Sequence, residues 1–218
     1  MTTTDIRQRL RDLKALEGPF EPVDFGAADN PQALFLDWLE AAIAAGLAEP
    51  HAMTLSTVDA GGHPDARVLI LKNLDERGWH FAVSAVSPKG RQIAANPAVA
   101  LTFYWQALGR QVRIRGRAVA LDAGESAQDL LARSVDARAN VLLAKQSEPL
   151  DHPSSVAAAM TGARARIAAA PDLVSDDWQA YAVAPQTVEF WQGATDRLHQ
   201  RLLFRREGEG WAREWLWP

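Results

Sequence analysis

The sequence predicts an α+β protein that is mainly β, with an antiparallel sheet and helices at its periphery. From about residue 52 to 121 the chain consists of short apolar runs separated by turn signals of hairpin length. Five strands at this spacing indicate a barrel. Helical periodicity lies before this region and after it, at about 124–170.

Length and composition set the boundaries of this prediction. The chain has 218 residues, of which 48% are hydrophobic and 23% charged, so it can bury a sizeable core. We expect an N-terminal arm over 1–29 and one domain over 30–218, with a helical insert at about 124–170. The arm is polar and rich in turn residues, which predicts extended structure.

Charge and cysteine content exclude several classes of function. The net charge of -4 gives no general attraction to nucleic acid or to a membrane. The absence of cysteine excludes disulfides, thiolate metal sites and cysteine nucleophiles, and it suits a reducing compartment. No run approaches the ~20 apolar residues that cross a bilayer, and the start lacks a signal-peptide core. We expect a cytoplasmic protein.

The first core element is a helix that begins after Asn30. Asn30 is a suitable N-cap, Pro31 suits the first helical position, and Gly46 suits the end. Its apolar stripe comprises Leu34, Phe35, Trp38, Leu39 and Ile43.

Strands follow, in antiparallel succession. The apolar runs predict strands over 52–58, 66–72, 79–84, 98–105 and 110–121, with a short helix after residue 87. After the helical insert, strands are predicted over 180–193, 196–206 and 211–217.

Three segments of the chain carry cations near predicted elements. "SPKG" places Lys89 in the first turn of a helix, where a cation opposes the helix dipole unless an anion binds there. "RVLILK" brackets an apolar run, consistent with a strand buried on both faces, with Arg67 and Lys72. "GRQVRIRGR" places Gln111 and three arginines opposite Val112 and Ile114. For all these charges, exposure to solvent is the alternative explanation.

The fourth segment, "EFWQGATDRLHQR", contains Trp191 and three alternating basic residues. If the segment is a strand, Arg197, His199 and Arg201 point to one face. Motifs for dinucleotides, P-loop phosphates, serine hydrolases and zincins are all missing. The pattern therefore indicates a phosphorylated heterocycle as ligand without naming it.

Together these segments resemble the pyridoxamine 5'-phosphate oxidase family, whose members are FMN-binding split-barrel homodimers. The likeness runs in order from about residue 30 to 218 through "RVLILK", "SPKG...NP", "FYW..LGRQVR..G", "KQS" and "EFWQG...RLH.R". It implies an antiparallel FMN-binding split β-barrel with peripheral helices. It also implies two catalytic residues, Arg197 and His199.

The resemblance implies further roles by position. The FMN-binding residues would come from both subunits; they are Arg67, Val68, Leu69, Ile70, Leu71, Lys72, Lys89, Gln111, Gln146, Ser147, Trp191 and Arg201. The substrate-binding residues would be Lys72, Arg133, Arg197 and His199, and no metal is implied. Lys72 and Arg133 would bind the substrate phosphate.

This chain departs from the family at both phosphate sites. Asp129 stands where a Tyr is usual for the substrate phosphate, Ala137 replaces a Ser, and Ser134 replaces a Pro. At the flavin phosphate, Ala82 and Val83 replace a Tyr-Thr pair. Pro88 stands there in place of an Arg.

The implied function is oxidation of pyridoxamine or pyridoxine 5'-phosphate to pyridoxal 5'-phosphate, with hydride transfer to flavin and reoxidation by O2. Alternatives are a phenazine-biosynthesis-like relative acting on another small amine or ring compound, or a flavin- or pyridoxal-phosphate-binding protein with little turnover. A purely structural role is a further alternative. The resemblance also implies a homodimer.

Overall fold

A computed structural model describes residues 3–21, 23–25 and 28–218 of the chain. Apart from a helix at Thr3–Asp12 and a short strand at Asn73–Asp75, which the sequence did not predict, their helices and antiparallel strands follow the predicted order. The helices are α1 (Thr3–Asp12), α2 (Pro31–Ala44), α3 (Pro88–Ala95), α4 (Ala123–Leu131), α5 (Val135–Leu142) and α6 (Ser154–Ala169).

The strands are β1 (Ala52–Val58), β2 (Pro64–Ile70), β3 (Asn73–Asp75), β4 (Gly78–Ser84), β5 (Ala98–Trp105), β6 (Arg110–Ala120), β7 (Trp178–Gln192), β8 (Gln200–Glu207) and β9 (Gly210–Trp215). Apart from β3, which lies in a segment predicted as a turn, they occupy the regions where apolar runs predicted them. A short 3-10 helix, Gln106–Leu108, connects β5 to β6.

The chain divides into two compact units. The first comprises Met1–Pro50, Thr102–Arg113 and Thr187–Pro218, and the second comprises His51–Leu101 and Ile114–Gln186. The predicted boundaries of an arm over 1–29 and a domain over 30–218 stay a prediction.

The strands hydrogen-bond in the order β2-β1-β5-β6-β7-β4-β3, of which β5, β6 and β7 have residues in both units. The β1–β2 and β3–β4 pairs are hairpins, and β4 pairs antiparallel with β7. Strand β4 is buried along its whole length. Helices α5 and α6 enclose a small apolar cluster of Ala139, Ala163 and Ile167.

In the first unit, β7, β8 and β9 form an antiparallel ribbon. The core beside it is aromatic: the ring centroids of Trp38 and Phe190 lie 5.2 Å apart, and those of Phe190 and Phe204 lie 5.9 Å apart. Edge-to-face packing of this kind stabilises a core beyond the area that it buries.

Helix α2 begins as its sequence predicts. The side chain of Asn30 accepts hydrogen bonds from the backbone N–H groups of Gln32 and Ala33. Gly46 follows the helix with a φ of +69°, a conformation that glycine adopts without strain. Within the predicted apolar stripe, however, Ile43 is 50% exposed.

The prediction of extended structure at the N-terminus is wrong for Thr3–Asp12, which is helical. Asp5 lies in the first turn, and Arg9 and Arg11 lie in the last, so the charges complement the helix dipole. Gln8 also donates a hydrogen bond to Asp12, 2.8 Å away. Within the described residues, no helix has the length and apolarity needed to cross a membrane.

Candidate active site

The predicted site residues fall into two groups, one in each compact unit. The second unit holds the basic residues predicted for both phosphates, together with the β2 segment and Gln146 and Ser147. The first unit holds Gln111, Trp191, Arg197, His199 and Arg201. Each group is described by itself.

Lys89 lies in the first turn of α3 with 7% of its surface exposed. Ser87 caps this helix by accepting a hydrogen bond from the backbone N–H of Gly90. The Lys89 ammonium donates to Oε1 of Gln146 over 2.6 Å, so two predicted FMN-binding residues are in contact. Burial lowers the pKa of Lys89, and the charge of Arg67 lowers it further.

The Arg67 guanidinium is held by its surroundings on several sides. It donates to Oγ1 of Thr57 over 2.6 Å and to the carbonyl oxygen of Leu55 over 3.3 Å. It also pairs with Asp65 and donates to Gln92. These contacts fix the guanidinium in one orientation near the start of α3.

This donor set fits a phosphate group. Among the described residues, no carboxylate lies within ion-pair distance of the buried Lys89, whose hydrogen-bond partner is a neutral amide. The Ser84 hydroxyl, buried close to the start of α3, has no hydrogen-bond partner within the described part of the chain. A buried cation without a counter-ion is unfavourable, and an anion bound at a helix N-terminus would relieve it. Ala82 and Val83, in β4, offer no polar side chain.

The expectation that Val68 to Leu71 form a strand buried on both faces is wrong. Strand β2 is at the end of the strand order, and Val68 is 66% exposed while Leu71 is 9% exposed. An edge strand has a neighbour on one side, here β1, so part of its apolar surface stays uncovered. Leu69 and Ile70 are half-buried.

A cavity of about 630 Å³ in the second unit brings together the two cations predicted for the substrate phosphate, Lys72 and Arg133. The three positions that depart from the family also line it, Asp129, Ser134 and Ala137. Ser134 caps α5 and accepts from the backbone N–H of Ala137 over 3.3 Å. The two residues predicted for the substrate phosphate therefore line one concave cavity.

Sequence reasoning missed several polar residues of this cavity. His80 lines it, is 5% exposed, and contacts Oδ1 of Asp75 through Nε2 over 2.8 Å. Asp75 in turn pairs with Arg77, whose hydrogen bond lowers the pKa of that carboxyl to about 2. Metal-motif spacing can reveal a histidine that binds a metal, but it does not reveal a histidine such as His80 that a neighbouring carboxylate holds.

In the first unit, Trp191 and Arg201 are opposite each other in the β7–β8 pair. Arg201 donates to Oε1 of Glu189 over 2.9 Å and to the carbonyl oxygen of Trp217 over 2.9 Å. The rings of Trp191 and His199 lie 5.0 Å apart. Gln111 lies half-buried on β6 beside Val112.

The hypothesis that Arg197, His199 and Arg201 share one strand face is wrong, because β8 begins at Gln200. Arg197 and His199 lie in the preceding turn. There the Arg197 N–H donates to the carbonyl oxygen of Ala194 over 3.1 Å. Arg201 alone of the three is on the strand.

Arg197 has a φ of +70°, in the left-handed region that non-glycine residues rarely adopt. Ser147 has the same value. Such conformations have an energetic cost and are concentrated at functional sites. Both residues belong to the set implied by the resemblance, whereas Leu16, Glu49 and Ala144, which also have positive φ, do not.

The His199 ring is fixed by a backbone hydrogen bond. The N–H of Ala194 donates to Nδ1 of His199 over 2.9 Å, so Nδ1 must be unprotonated. The ring proton then resides on Nε2, which is a donor. His199 can therefore donate a hydrogen bond to a ligand atom from Nε2.

The N-terminal arm packs against this turn. Phe20 lines a cavity of about 310 Å³ together with Gly193, Thr195 and Leu198. A side chain at Gly18 would place its Cβ 2.9 Å from Thr195, so the close approach requires glycine. The arm thus contacts the turn that presents Arg197 and His199.

Two family models match most of the chain. Residues 39–167 match the family model described as pyridoxamine 5'-phosphate oxidase. Residues 178–218 match the model described as the pyridoxine 5'-phosphate oxidase C-terminal dimerisation region. The chain belongs to the pyridoxamine 5'-phosphate oxidase family.

Curated relatives agree with this family membership. The chain is 41% identical over 194 residues to the pyridoxine/pyridoxamine 5'-phosphate oxidase of Pseudomonas paraeruginosa, covering 88% of this chain and 90% of the relative. It is 39% identical to the enzyme of the same name from Bordetella petrii, over 100% of both chains.

Solved structures of the family share the fold. The crystal structure of PhzG from Burkholderia lata, in complex with tetrahydrophenazine-1-carboxylic acid, matches with a TM-score of 0.84 at 28% identity. The match covers 92% of this chain and 100% of that one. A pyridoxamine 5'-phosphate oxidase-related, FMN binding protein from Nostoc punctiforme matches with a TM-score of 0.71 at 19% identity, covering 88% and 100%. The predicted fold class, an antiparallel split β-barrel with peripheral helices, is confirmed.

Proposed function

We propose that this protein is an FMN-dependent oxidase that converts pyridoxamine or pyridoxine 5'-phosphate to pyridoxal 5'-phosphate. The observation that carries the proposal is the cavity in which Lys72 and Arg133, the two cations implied for the substrate phosphate, come together. The relatives of the same name, at 39–41% identity over most of the chain, support it.

Lys89, Arg67, Gln146 and Ser147 would hold the phosphate end of FMN, with the buried ammonium of Lys89 supplying the main charge. When bound, the flavin supplies a two-electron acceptor that dioxygen can reoxidise. The protein residues contribute binding and orientation. Trp191, Gln111 and Arg201 would complete the flavin site.

Arg197 and His199 would contact the substrate carbon that is oxidised. The left-handed backbone at Arg197 sets the direction of its side chain. The hydrogen bond from Ala194 keeps the proton of His199 on Nε2, so this ring can orient an amine or a hydroxyl by donating to it. The arm segment at Phe20 would limit access of water to this turn.

We also propose a homodimer in the cytoplasm. The match of residues 178–218 to a dimerisation region supports the dimer. In a dimer, the partner subunit could contribute residues to each flavin site, as the family resemblance implies.

Oxidation of another small ring compound is a second candidate. The likeness to PhzG, at a TM-score of 0.84, and the carboxylate of Asp129 in the substrate cavity favour it. A flavin-binding protein with little turnover is the third candidate.

One experiment distinguishes these functions. Purified protein is titrated with FMN while the flavin fluorescence is followed, and the holoprotein is then supplied with pyridoxamine 5'-phosphate in air. The proposal predicts quenching, followed by formation of aldehyde and hydrogen peroxide. Binding of FMN without peroxide would reject the proposed reaction, and absence of FMN binding would reject every flavin-dependent candidate.

A further inference from the structure

The substrate cavity already contains an anion that belongs to the protein. Its charged lining consists of two cations, Lys72 and Arg133, and two carboxylates, Glu125 and Asp129. Glu125 is occupied by Arg77, which donates to both carboxylate oxygens over 2.8 and 3.0 Å. Asp129 is therefore the carboxylate that offsets the cations of the cavity.

Arg133 and Asp129 form a partly buried pair. Nε of Arg133 donates to Oδ2 of Asp129 over 2.9 Å, and the two side chains are 18% and 17% exposed. The indole N–H of Trp178 donates to the same oxygen over 2.8 Å. The guanidinium also stacks over the Trp178 ring, 4.4 Å from its centroid. Asp129 thus balances the charge of Arg133 and holds its guanidinium in position.

This arrangement changes what the cavity requires from a ligand. A site whose buried donors depend on a ligand anion rejects analogues without that anion strongly, because the donors are then left unpaired. Here Arg133 keeps a charged partner when no phosphate is bound. The hydrogen bond to Asp129 uses Nε, and the two terminal nitrogens of Arg133 make no hydrogen bond among the described residues, so they remain available to a phosphate.

We propose that Asp129 is a specificity-determining residue that allows the enzyme to oxidise ring amines and alcohols lacking a phosphate, alongside the phosphorylated substrates. The inference rests on the proposed oxidase function. An alcohol carbon would lose a hydride to the flavin and its hydroxyl a proton, which gives the aldehyde. An amine carbon would give an imine that water hydrolyses to aldehyde and ammonia. In both cases dioxygen accepts the two electrons and becomes hydrogen peroxide.

The test compares phosphorylated and unphosphorylated substrates on three holoenzymes: the natural protein, Asp129→Asn and Asp136→Asn. Asn keeps the shape of Asp129 and an oxygen that can accept from Trp178, but it removes the charge. Asp136 is a matched control, because it pairs with Arg164 at the surface and does not line the cavity. The measurements are kcat/KM for pyridoxine 5'-phosphate and pyridoxine, and calorimetric binding of pyridoxal 5'-phosphate and pyridoxal.

We expect the natural enzyme to favour the phosphorylated substrate by less than about 100-fold, well below the 10⁴-fold discrimination of a site built around one polar group. Asp129→Asn should raise this ratio at least about tenfold, by a lower KM for the phosphorylated form and a higher KM for the other. Asp136→Asn should leave it unchanged.

Several results would overturn the inference. An unchanged ratio in Asp129→Asn, with both substrates affected equally, would make Asp129 a structural residue only. A natural enzyme that excludes pyridoxine as strongly as a phosphate-dependent site would also reject the inference. If neither substrate is oxidised, the proposed function fails. The binding measurements would then decide the role of Asp129 separately, by the same ratio of affinities.

Discussion

Two cations of the second unit, Lys89 and Arg133, are both at least partly buried but differ in their partners. Arg133 is paired with the carboxylate of Asp129 and stacked on Trp178. Lys89 is 7% exposed, and its partner within the described residues is the neutral amide of Gln146. One cation therefore contacts a carboxylate of the protein, whereas the other contacts a neutral amide. This difference supports FMN as the cofactor bound near Lys89. It also supports a substrate site that accepts ligands with and without a phosphate.

The largest effect is expected at Arg197, which extends the comparison to a cation in the first unit. Among described residues, its guanidinium makes no ion pair or hydrogen bond, so it is available to a substrate. Arg197→Gly removes the side chain and relieves the left-handed backbone. We expect kcat to fall about 100-fold, as expected for loss of substrate orientation, with FMN affinity nearly unchanged. Steady-state turnover and FMN titration measure the two effects.

A control for this variant is Arg205→Gln, which removes an exposed arginine of β8 paired with Glu214. It should leave turnover unchanged. If Arg197→Gly weakens FMN binding as much as it lowers kcat, Arg197 belongs to the flavin site instead.

The second prediction concerns Lys89 directly. Lys89→Met should weaken FMN binding roughly 10- to 100-fold, because a hydrogen bond to a charged group is lost and the flavin phosphate loses its main cation. The matched control is Arg91→Met. Arg91 lies two residues further along α3 and is exposed, so this change should alter FMN affinity little. Fluorescence titration gives both constants. Equal effects at the two positions would mean that Lys89 has no special relation to the cofactor.

The third prediction concerns how the free energy of unfolding depends on pH. Burial lowers the pKa of Lys89 below its ordinary value of 10.5 in the protein without flavin. Between the lowered pKa and 10.5 the unfolded chain binds more protons, so the free energy of unfolding rises with pH in that window. Urea unfolding should show a steeper rise for the natural apoprotein than for Lys89→Met. Identical slopes would contradict the burial of this charge.

Asp75 should show the smallest effect; its charged form stabilises the protein, whereas the buried charge of Lys89 destabilises it, so stability rises with pH in both windows. The hydrogen bond from Arg77 lowers the pKa of Asp75 from 3.8 to about 2, so its stabilising contribution is present above about pH 4 and disappears as the pH falls toward 2. Asp75→Asn should therefore flatten the acid side of the stability profile. The surface variant Asp136→Asn serves as reference, and urea unfolding at several acid pH values measures both. A profile for Asp75→Asn that parallels the natural one would rule out this contribution.

Local signals predicted most of the fold. Asn30, Pro31 and Gly46 predicted both ends of α2, and alternation predicted the burial of Val112 and Ile114 on β6, both 0% exposed. These features depend on neighbours within a few residues, so they can be predicted from the sequence. Family resemblance then added the site residues, whose roles stay predictions.

Other features depend on contacts that a sequence pattern does not contain. The partner that fixes Asp129 besides Arg133 is Trp178, 49 positions along the chain. The exposure of Val68 follows from the place of β2 at the sheet edge. The turn at Arg197 interrupts an alternation that suggested a strand, because Ala194 N–H and Asp196 make local hydrogen bonds instead.

The most direct test of the proposed function is a single turnover without oxygen. Protein with bound FMN is mixed anaerobically with pyridoxamine 5'-phosphate, and the absorbance of oxidised flavin is followed before and after air is admitted. We expect the flavin to bleach with formation of pyridoxal 5'-phosphate, and air to restore its absorbance with formation of one equivalent of hydrogen peroxide. Flavin that stays oxidised, although FMN and pyridoxamine 5'-phosphate are both bound, would contradict it.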